Sequence, residues 1–212
     1  PVTLSHSDHG YDVVDYSHFR VQLGKLLQRT HGLGLRWMQD IVPNHMYYHN
    51  VYLHDVFRKG AGSPYHGFFD IDWHDGQVDA PFLGEKSYDN VRIDHDGEYC
   101  VRYFEHRFPL SQESVDYIRS LRKGARREFL SYLNGQHKAE ILGMQYYRLC
   151  HWKSKPNYRR FFSVNELIGL NTDRQEVFDE VHGHLFKYPI DSVRVDHIDG
   201  LFDPKQYMRR LA

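Results

Sequence analysis

The sequence has few of the features that assign a function from composition alone. Its two cysteines, Cys100 and Cys150, give neither a zinc-ligand spacing nor a disulfide framework, and they suit a reducing cytoplasm. It has no run of about 18 apolar residues, so a membrane span is not expected. The 27 basic and 28 acidic residues nearly cancel, so no basic footprint predicts nucleic-acid binding. What is abundant is histidine, with 16 residues, and aromatic side chains, which line sugar-binding sites but also ordinary cores.

Both ends of the chain have the pattern of an α/β protein. Residues 1–16 read as an irregular start, Ser17 is predicted to cap a helix that runs to about His31, and residues 35–42 form a buried strand. Near the other end, residues 172–175 resemble a capping box that opens a helix. A helix followed by a buried strand is one step of a parallel α/β sheet.

This alternation breaks down between Met46 and about Asn171. A hairpin is predicted around Asp96-Gly97, helices in two pieces over residues 112–150 with a break near Asn134, and a strand-like segment over residues 158–167. About 125 residues are too many for a loop between two α/β steps, so the sequence predicts an inserted domain.

The most informative stretch runs from Asp191 to Pro204. The β-branched run 192–195 ends on Asp196, a polar turn follows, and Asp203-Pro204 is a typical helix start. An acid at the carboxyl end of a strand lies where α/β enzymes place their chemistry. Arg194 points to the same strand face, where a cation keeps a carboxylate ionised. A structural Arg–Asp pair explains this stretch equally well.

Three polar clusters are predicted to meet at one edge, because all carboxyl ends of a parallel sheet lie there. Taken alone, His45 fits a structural histidine better than a ligand contact. Together, a carboxylate with a paired arginine, a histidine and an aromatic face suit a sugar ring. The clusters are Tyr11 with Asp15; Asp40 with Asn44 and His45; and Arg194 with Asp196 and His197.

The ordered motifs resemble the α-amylase superfamily of retaining glycoside hydrolases and transglycosidases. Within it, they are most similar to the maltooligosyl trehalose synthases, over nearly the whole chain. The motifs are His9-Gly-Tyr-Asp-Val-Val-Asp15, Asp40-Ile-Val-Pro-Asn-His-Met46, Phe68-Phe-Asp-Ile-Asp-Trp73, Tyr103-Phe-Glu-His-Arg-Phe-Pro109, Asn157-Tyr-Arg-Arg-Phe-Phe162 and Arg194-Val-Asp-His-Ile-Asp-Gly200.

The resemblance implies part of a (β/α)8 TIM barrel, about strands 2–4. Residues 1–45 correspond to the end of strand 2, a helix and strand 3. Residues 46–171 correspond to a large, mainly α, domain inserted after the third strand. Residues 172–212 correspond to a helix, strand 4 and the helix after it. The chain is therefore expected to be part of a larger catalytic domain.

The resemblance also implies the roles of individual residues. Asp196 matches the catalytic nucleophile, and Arg194 matches the arginine that orients it. The remaining matches belong to substrate binding: Tyr11 stacks under the sugar, His45 contacts it, His197 is a further contact, Asp40 and Asn44 brace the loops, and Asp15 lies with them. No cofactor and no metal are implied.

The implied reaction is a retaining double displacement on a maltooligosaccharide, which needs two carboxyl groups roughly 5 Å apart. The reducing-end α-1,4 bond becomes an α,α-1,1 bond, and functional pairing with a trehalose-releasing hydrolase is implied. In the resembled enzymes the general acid glutamate follows the next strand, and neither Glu105 nor Glu166 matches its motif. The 212 residues are therefore expected to be inactive alone.

Three alternatives remain at this point. An amylolytic hydrolase or 4-α-glucanotransferase of the same superfamily would use the same nucleophile. A carbohydrate-binding module would bind oligosaccharides without turnover. A metal-binding protein would use closely spaced histidines, although no His-Glu-x-x-His motif accompanies them; these histidines are His45, His49 and His54, or His182 and His184.

Overall fold

A computed structural model of the chain describes residues 1–135 and 137–212, which form an α/β structure. The strands are β1 (Thr3–Ser5), β2 (Val13–Phe19), β3 (Met38–Ile41), β4 (His45–Tyr47), β5 (Val78–Leu83), β6 (Val91–Asp96), β7 (Glu98–Tyr103), β8 (His106–Pro109), β9 (Tyr147–His151), β10 (Leu167–Gly169) and β11 (Ser192–Val195). The helices are α1 (Leu23–Gly32), α2 (Val51–Lys59), α3 (Gln112–Ser120), α4 (Lys123–Asn134), α5 (Lys138–Gly143), α6 (Gln175–Gly183) and α7 (Pro204–Leu211).

The chain divides into two compact units. The first comprises residues 1–51, 68–70 and 160–212, and the second comprises residues 52–67 and 71–159. No helix formed by the described residues has both the length and the apolar character that a membrane crossing requires.

The first unit is built around a parallel pair of strands, β3 and β11. Their register places Val193 opposite Gln39 and Arg194 opposite Asp40. The pairing continues past β11, because the Asp196 amide donates to the Ile41 carbonyl over 2.9 Å. The strand predicted over residues 192–195 is confirmed, and this register brings the carboxyl ends of both strands together.

Two antiparallel pairs complete the strands of this unit. β10 pairs with β4, with Gly169 opposite His45, and β1 pairs with β2 through an irregular register. The prediction of an irregular start followed by a helix from Ser17 is wrong. Val13 and Tyr16 are buried on β2, and pairing with β1 occupies the backbone that a helix would need. α1 therefore begins only at Leu23 and ends at Gly32, as predicted.

Helices α1 and α6 and the segment after α6 supply the apolar core of this unit. Leu23 and Leu27 of α1 pack with Ile41 of β3 and Leu185. A second cluster joins Phe178 of α6 to Leu201 and to Tyr207 of α7. α7 begins as the sequence predicts, with Pro204 in its first turn and the Asp203 carboxylate accepting the Gln206 amide at 2.9 Å.

Two local predictions in this unit are wrong. Residues 158–167 are not a strand, because Phe162 has a left-handed φ of 48° and the amides of Val164 and Leu167 form successive turns. The predicted capping box at residues 172–175 does not form either. The Arg174 amide bonds to the Asn171 carbonyl, so a turn precedes α6 and Arg174 takes the N-cap position.

The second unit mixes helices and strands. Its described part contains the antiparallel sheet β6-β7-β8, the parallel pair β5-β9 and helices α2 to α5. The hairpin predicted at Asp96-Gly97 is confirmed, and Gly97 adopts the left-handed φ of 79° that such a turn requires. The expectation of a mainly α segment is corrected, because buried β-branched and aromatic side chains favour strands here: Val91 and Ile93 share one face of β6, and Tyr99, Val101 and Tyr103 share one face of β7. Residues 112–150 form three helices and a strand rather than two helices.

We predict that Gly60→Ala destabilises the second unit. A Cβ at this position would lie 2.6 Å from Cε1 and 2.8 Å from Cγ of the Tyr146 ring, and the residue has a left-handed φ of 54°. The free energy of unfolding should fall by about 2 kcal/mol, which urea titration measures. Gly62→Ala is the matched control, because nothing lies within 4 Å of a Cβ there. Equal stability of the two variants would contradict the packing described.

We also predict that His182 makes the first unit sensitive to acid. This histidine is buried, its Nε2 lies 2.6 Å from the Tyr207 hydroxyl, and burial lowers its pKa from 6.5 to about 4. The unfolded chain therefore binds an extra proton between these two values, so stability falls as the pH falls through this window. The full loss from this group is about 3 kcal/mol.

Urea unfolding at several pH values, compared between the wild type and His182→Gln, isolates this contribution. The wild type should lose more stability than the variant between pH 6.5 and pH 4. Parallel profiles for the two proteins would show that His182 does not titrate as the structure indicates.

Candidate active site

Arg194 and Asp196 form an ion pair at the carboxyl end of β11. Nη1 of Arg194 donates to Oδ1 of Asp196 at 2.7 Å, as expected for side chains two residues apart on one strand face. The Asp196 side chain is 18% exposed. Its second oxygen, Oδ2, makes no hydrogen bond or ion pair with the described residues, so this oxygen is available to a ligand.

Asp40 lies on β3 directly opposite Arg194, and each of its carboxylate oxygens has a polar neighbour. Its Oδ2 accepts a hydrogen bond of 2.7 Å from the Tyr11 hydroxyl, and its Oδ1 lies 3.6 Å from Nη1 of Arg194. The parallel register explains the contact, because Arg194 and Asp40 are direct cross-strand partners. Arg194 thus contacts both carboxylates. Both oxygens of Asp40 have polar neighbours, whereas Oδ2 of Asp196 has none among the described residues.

The groups around Tyr11 and Arg194 raise the pKa of each side chain. The hydrogen bond to Asp40 raises the pKa of the Tyr11 phenol, and desolvation acts in the same direction. Desolvation lowers the pKa of Arg194, but the charges of Asp196 and Asp40 outweigh it and leave the pKa above its ordinary value. The phenol therefore remains a donor and the guanidinium remains charged.

The loop after β3 buries Asn44 and His45, each only 1% exposed. Nε2 of His45 lies 3.1 Å from the Tyr11 carbonyl, and Nδ1 lies 3.1 Å from Nδ2 of Asn44. The His45 ring also packs against Phe161, with ring centroids 4.4 Å apart. These contacts connect His45 to Tyr11 and fix the orientation of the Asn44 and His45 side chains.

His197 follows Asp196 in a left-handed conformation, with φ of 49°. This turn directs its ring towards Phe161 and Phe162, with centroid distances of 4.7 and 5.2 Å. Gly200 closes the turn, where a Cβ would lie 2.6 Å from Nε2 of His197 and 2.7 Å from Oδ1 of Asn44. Only glycine therefore allows the His197 ring and the Asn44 amide to approach each other there.

Asp15 is the predicted site residue that the structure does not connect to the others. Its carboxylate accepts hydrogen bonds from the Ser17 amide at 2.7 Å and the Ser17 hydroxyl at 2.6 Å, and Nδ1 of His18 lies 2.7 Å away. Desolvation raises its pKa, but these hydrogen bonds outweigh that effect and lower the pKa overall. A substrate contact by Asp15 stays a prediction.

The sequence pattern assigns no role to Phe161 and Phe162, whose rings contact those of His45 and His197. Their adjacency in a polar segment was the available signal, but the left-handed backbone at Phe162, which is 74% exposed, has no sequence signature in a phenylalanine. Over residues 1–135 and 137–212, no three histidine, cysteine or acidic side chains gather as metal ligands. The arrangement offers a held carboxylate, two phenylalanine rings and a tyrosine hydroxyl, which suits chemistry on a polyhydroxylated ring.

Comparison with known proteins places this geometry in a family. Residues 1–134 match the model of the alpha-amylase catalytic domain. A Mycobacterium tuberculosis protein named putative maltooligosyl trehalose synthase is 34% identical over 97% of this chain and 26% of its own length. The crystal structure of a hypothetical maltooligosyl trehalose synthase from Sulfolobus tokodaii superposes with a TM-score of 0.83, at 36% identity, over 100% of this chain and 29% of that one.

The maltooligosyltrehalose synthase of Arthrobacter ramosus also superposes with a TM-score of 0.83, at 34% identity, over 100% of this chain and 28% of that one. The chain thus spans about a quarter of the length of the relatives it matches. The family model covers well over half of the residues, including Tyr11, Asp40 and His45. The chain therefore belongs to the family of alpha-amylase catalytic domains.

Proposed function

We propose that this chain supplies the nucleophile side of a retaining transglycosidase active site. In the full-length protein, this site converts the reducing-end α-1,4 bond of a maltooligosaccharide to an α,α-1,1 bond. The family membership supports the retaining chemistry. The 34–36% identity to maltooligosyl trehalose synthases, over 97–100% of the chain, supports this particular acceptor.

The observation that carries the chemistry is the state of the Asp196 carboxylate. A nucleophile of this type must be ionised, fixed in orientation and open at one oxygen. Arg194 supplies the opposite charge and the fixed orientation through its 2.7 Å contact with Oδ1, and Oδ2 is the open oxygen. Attack by Oδ2 on the anomeric carbon breaks the reducing-end α-1,4 bond and forms a glycosyl ester, while the general acid carboxyl that the full-length protein is proposed to supply protonates the leaving oxygen of the released glucose. The anomeric hydroxyl of that glucose then attacks the ester carbon and gives its proton back to the same carboxylate, which frees Asp196 and forms the α,α-1,1 bond.

The surrounding residues have positioning roles in this proposal. Tyr11 is anchored through its hydroxyl to Asp40 and through its carbonyl to His45, so its ring is fixed beside the nucleophile. His197 follows Asp196 in the chain, and its ring and the exposed Phe162 ring, with centroids 5.2 Å apart, are proposed as surfaces for the sugar. The buried His45 acts through Tyr11 and Phe161. Excluding water favours transfer over hydrolysis, since water competes for the same ester.

We further infer the wider setting of the chain. β3 and β11 are proposed as strands 3 and 4 of a (β/α)8 barrel, with residues 46–171 as the domain inserted between them; their parallel pairing supports this. A cytoplasmic location is supported by Cys100 and Cys150, which are both free thiols. A trehalose-releasing hydrolase is proposed as the enzyme that consumes the product.

Substituting the nucleophile tests this proposal. Asp196→Asn in the full-length protein keeps the shape of the side chain but removes the attacking charge, so kcat should fall by about 10⁴-fold or more. Turnover of maltopentaose is measured by the loss of reducing ends and by the formation of a non-reducing product. Asp179→Asn, on the exposed face of α6, is the matched control and should retain full activity.

The same assay distinguishes the alternative acceptors. A non-reducing product supports the synthase, whereas a rise in reducing ends indicates an amylolytic hydrolase. Undiminished synthesis by Asp196→Asn would refute the assignment of the nucleophile.

A second prediction concerns the turn behind the nucleophile. Gly200→Ala would force His197 and Asn44 apart, because a Cβ lies 2.6 Å and 2.7 Å from their atoms. A displacement of this size should lower kcat by about a hundredfold. Gly183→Ala, where nothing lies within 4 Å of a Cβ, is the control and should leave kcat unchanged. Equal rates for the two variants would mean that the close packing of His197 and Asn44 around Gly200 has no role in turnover.

A further inference from the structure

A small cavity in the second unit has no place in the chemistry described above. It has a volume of about 220 Å³ and is lined by Asn90, Arg92, Arg102 and Phe104. It lies on the sheet β6-β7-β8 and the turn that joins β7 to β8. An ordinary solvent-exposed surface rarely combines two arginines and an aromatic ring around one small cavity.

The two arginines of this cavity are direct cross-strand partners. The register of β6 and β7 places Arg92 opposite Arg102, which puts like charges at the closest spacing a sheet allows. Nη2 of Arg102 lies 3.1 Å from Oδ2 of Asp94. Arg92 makes no hydrogen bond or ion pair with any residue that the structure describes. The lining therefore carries positive charge that one carboxylate offsets only in part.

The third strand does not cancel this charge. Arg107 of β8 lies opposite Arg102 in the register, so a third arginine extends the row. Its Nη1 donates to Oδ2 of Asp96 at 2.9 Å, and that carboxylate is thereby occupied away from the cavity. Asp94 and Asp96 offset the charges of Arg102 and Arg107, so the remaining repulsion falls on Arg92, whose presence stability does not explain.

Phe104 provides an independent observation. It is 64% exposed and has a left-handed φ of 51°, a conformation that a bulky L-residue adopts at an energetic cost. Burial does not offset this cost, because the ring faces solvent and the cavity. The two-residue turn between the paired Tyr103 and His106 requires such a φ, and glycine or asparagine adopts it at lower cost. The exposed phenylalanine at this position is therefore the feature that needs a functional explanation.

We propose that this cavity binds a small phosphorylated sugar. Two guanidinium groups from opposed positions match the oxygens of a phosphate monoester, which arginine binds in a bidentate manner. The Phe104 ring offers an apolar face to the sugar, and Asn90 offers an amide for its hydroxyl groups. Ligand pockets for drug-sized molecules span roughly 300–1,000 Å³, so a cavity of this size accepts one phosphorylated ring rather than a polymer.

Isothermal titration calorimetry on the full-length protein tests this proposal with glucose 6-phosphate as the probe. Binding should occur at millimolar or lower concentration and weaken as salt is added, since the contact is between charges. Inorganic phosphate should bind about tenfold more weakly, because it lacks the sugar that contacts Phe104. Any heat released on titrating glucose should be the same for the wild type and for Arg92→Gln, because glucose carries no phosphate for Arg92 to bind.

Two variants separate ligand binding from folding. Arg92→Gln should abolish binding without lowering Tm, since it removes a repulsive charge. Phe104→Gly should weaken binding about tenfold without lowering Tm, because glycine favours a φ of 51°. Arg127→Gln, which replaces an exposed arginine of α4, is the matched control and should bind as the wild type does.

Three outcomes would overturn the proposal. They are absence of glucose 6-phosphate binding to the wild type, unchanged binding to Arg92→Gln, and an equal loss in Arg127→Gln. Equal affinity for inorganic phosphate would overturn the part that assigns a sugar to the ligand.

Discussion

The candidate site depends on one guanidinium that serves two carboxylates. Arg194 contacts Asp196 at 2.7 Å and Asp40 at 3.6 Å, and without it the two acids at the ends of neighbouring strands would repel each other. The arginine side chain is half exposed, so solvent screens the pair and its contribution to stability is small. Its contacts therefore orient the two carboxylates more than they stabilise the fold, and Asp40 also accepts a hydrogen bond from the Tyr11 hydroxyl.

The position of that guanidinium is a consequence of strand register. Arg194 reaches Asp40 because the parallel pairing of β3 and β11 sets the two residues opposite each other. A slip of one residue would place Arg194 opposite Gln39 or Ile41 and would turn its side chain to the other face. The apolar packing of Ile41 with Leu23, Leu27 and Leu185 resists such a slip, because it buries that face of β3. Core packing thus determines the geometry of the charged site.

The features that local sequence determines were predictable, and those that depend on tertiary contacts were not. β11 and the start of α7 follow from a β-branched run and from Asp203-Pro204, which act over a few residues. The strand β2 was missed because its pairing with β1 overrides the helical spacing of Phe19 and Leu23. The approach of Asp40, Arg194 and Asp196 was predictable because parallel strands share an edge. Tyr11 reaches them from the segment before β2, and Asp15 and His45 lie on β2 and β4. Their positions depend on antiparallel pairings that the sequence pattern does not specify.

The same kind of backbone strain occurs in both units of the chain. Among the residues that the structure describes, only Phe104, Phe162 and His197 are non-glycine residues with a left-handed backbone. Each costs of order 1 kcal/mol or more. Phe104 and Phe162 are largely exposed and recover little of this cost through burial, whereas the His197 ring packs against Phe161 and Phe162. Two of the three lie together, since His197 follows Asp196 directly in the chain and its ring centroid is 5.2 Å from that of Phe162. The third, Phe104, lines the cavity beside two opposed arginines. Its backbone follows from the two-residue turn between the paired Tyr103 and His106, which requires such a φ. Stability does not explain an exposed phenylalanine at a turn position that glycine or asparagine occupies at lower cost, and the proposed ligand contact would account for it.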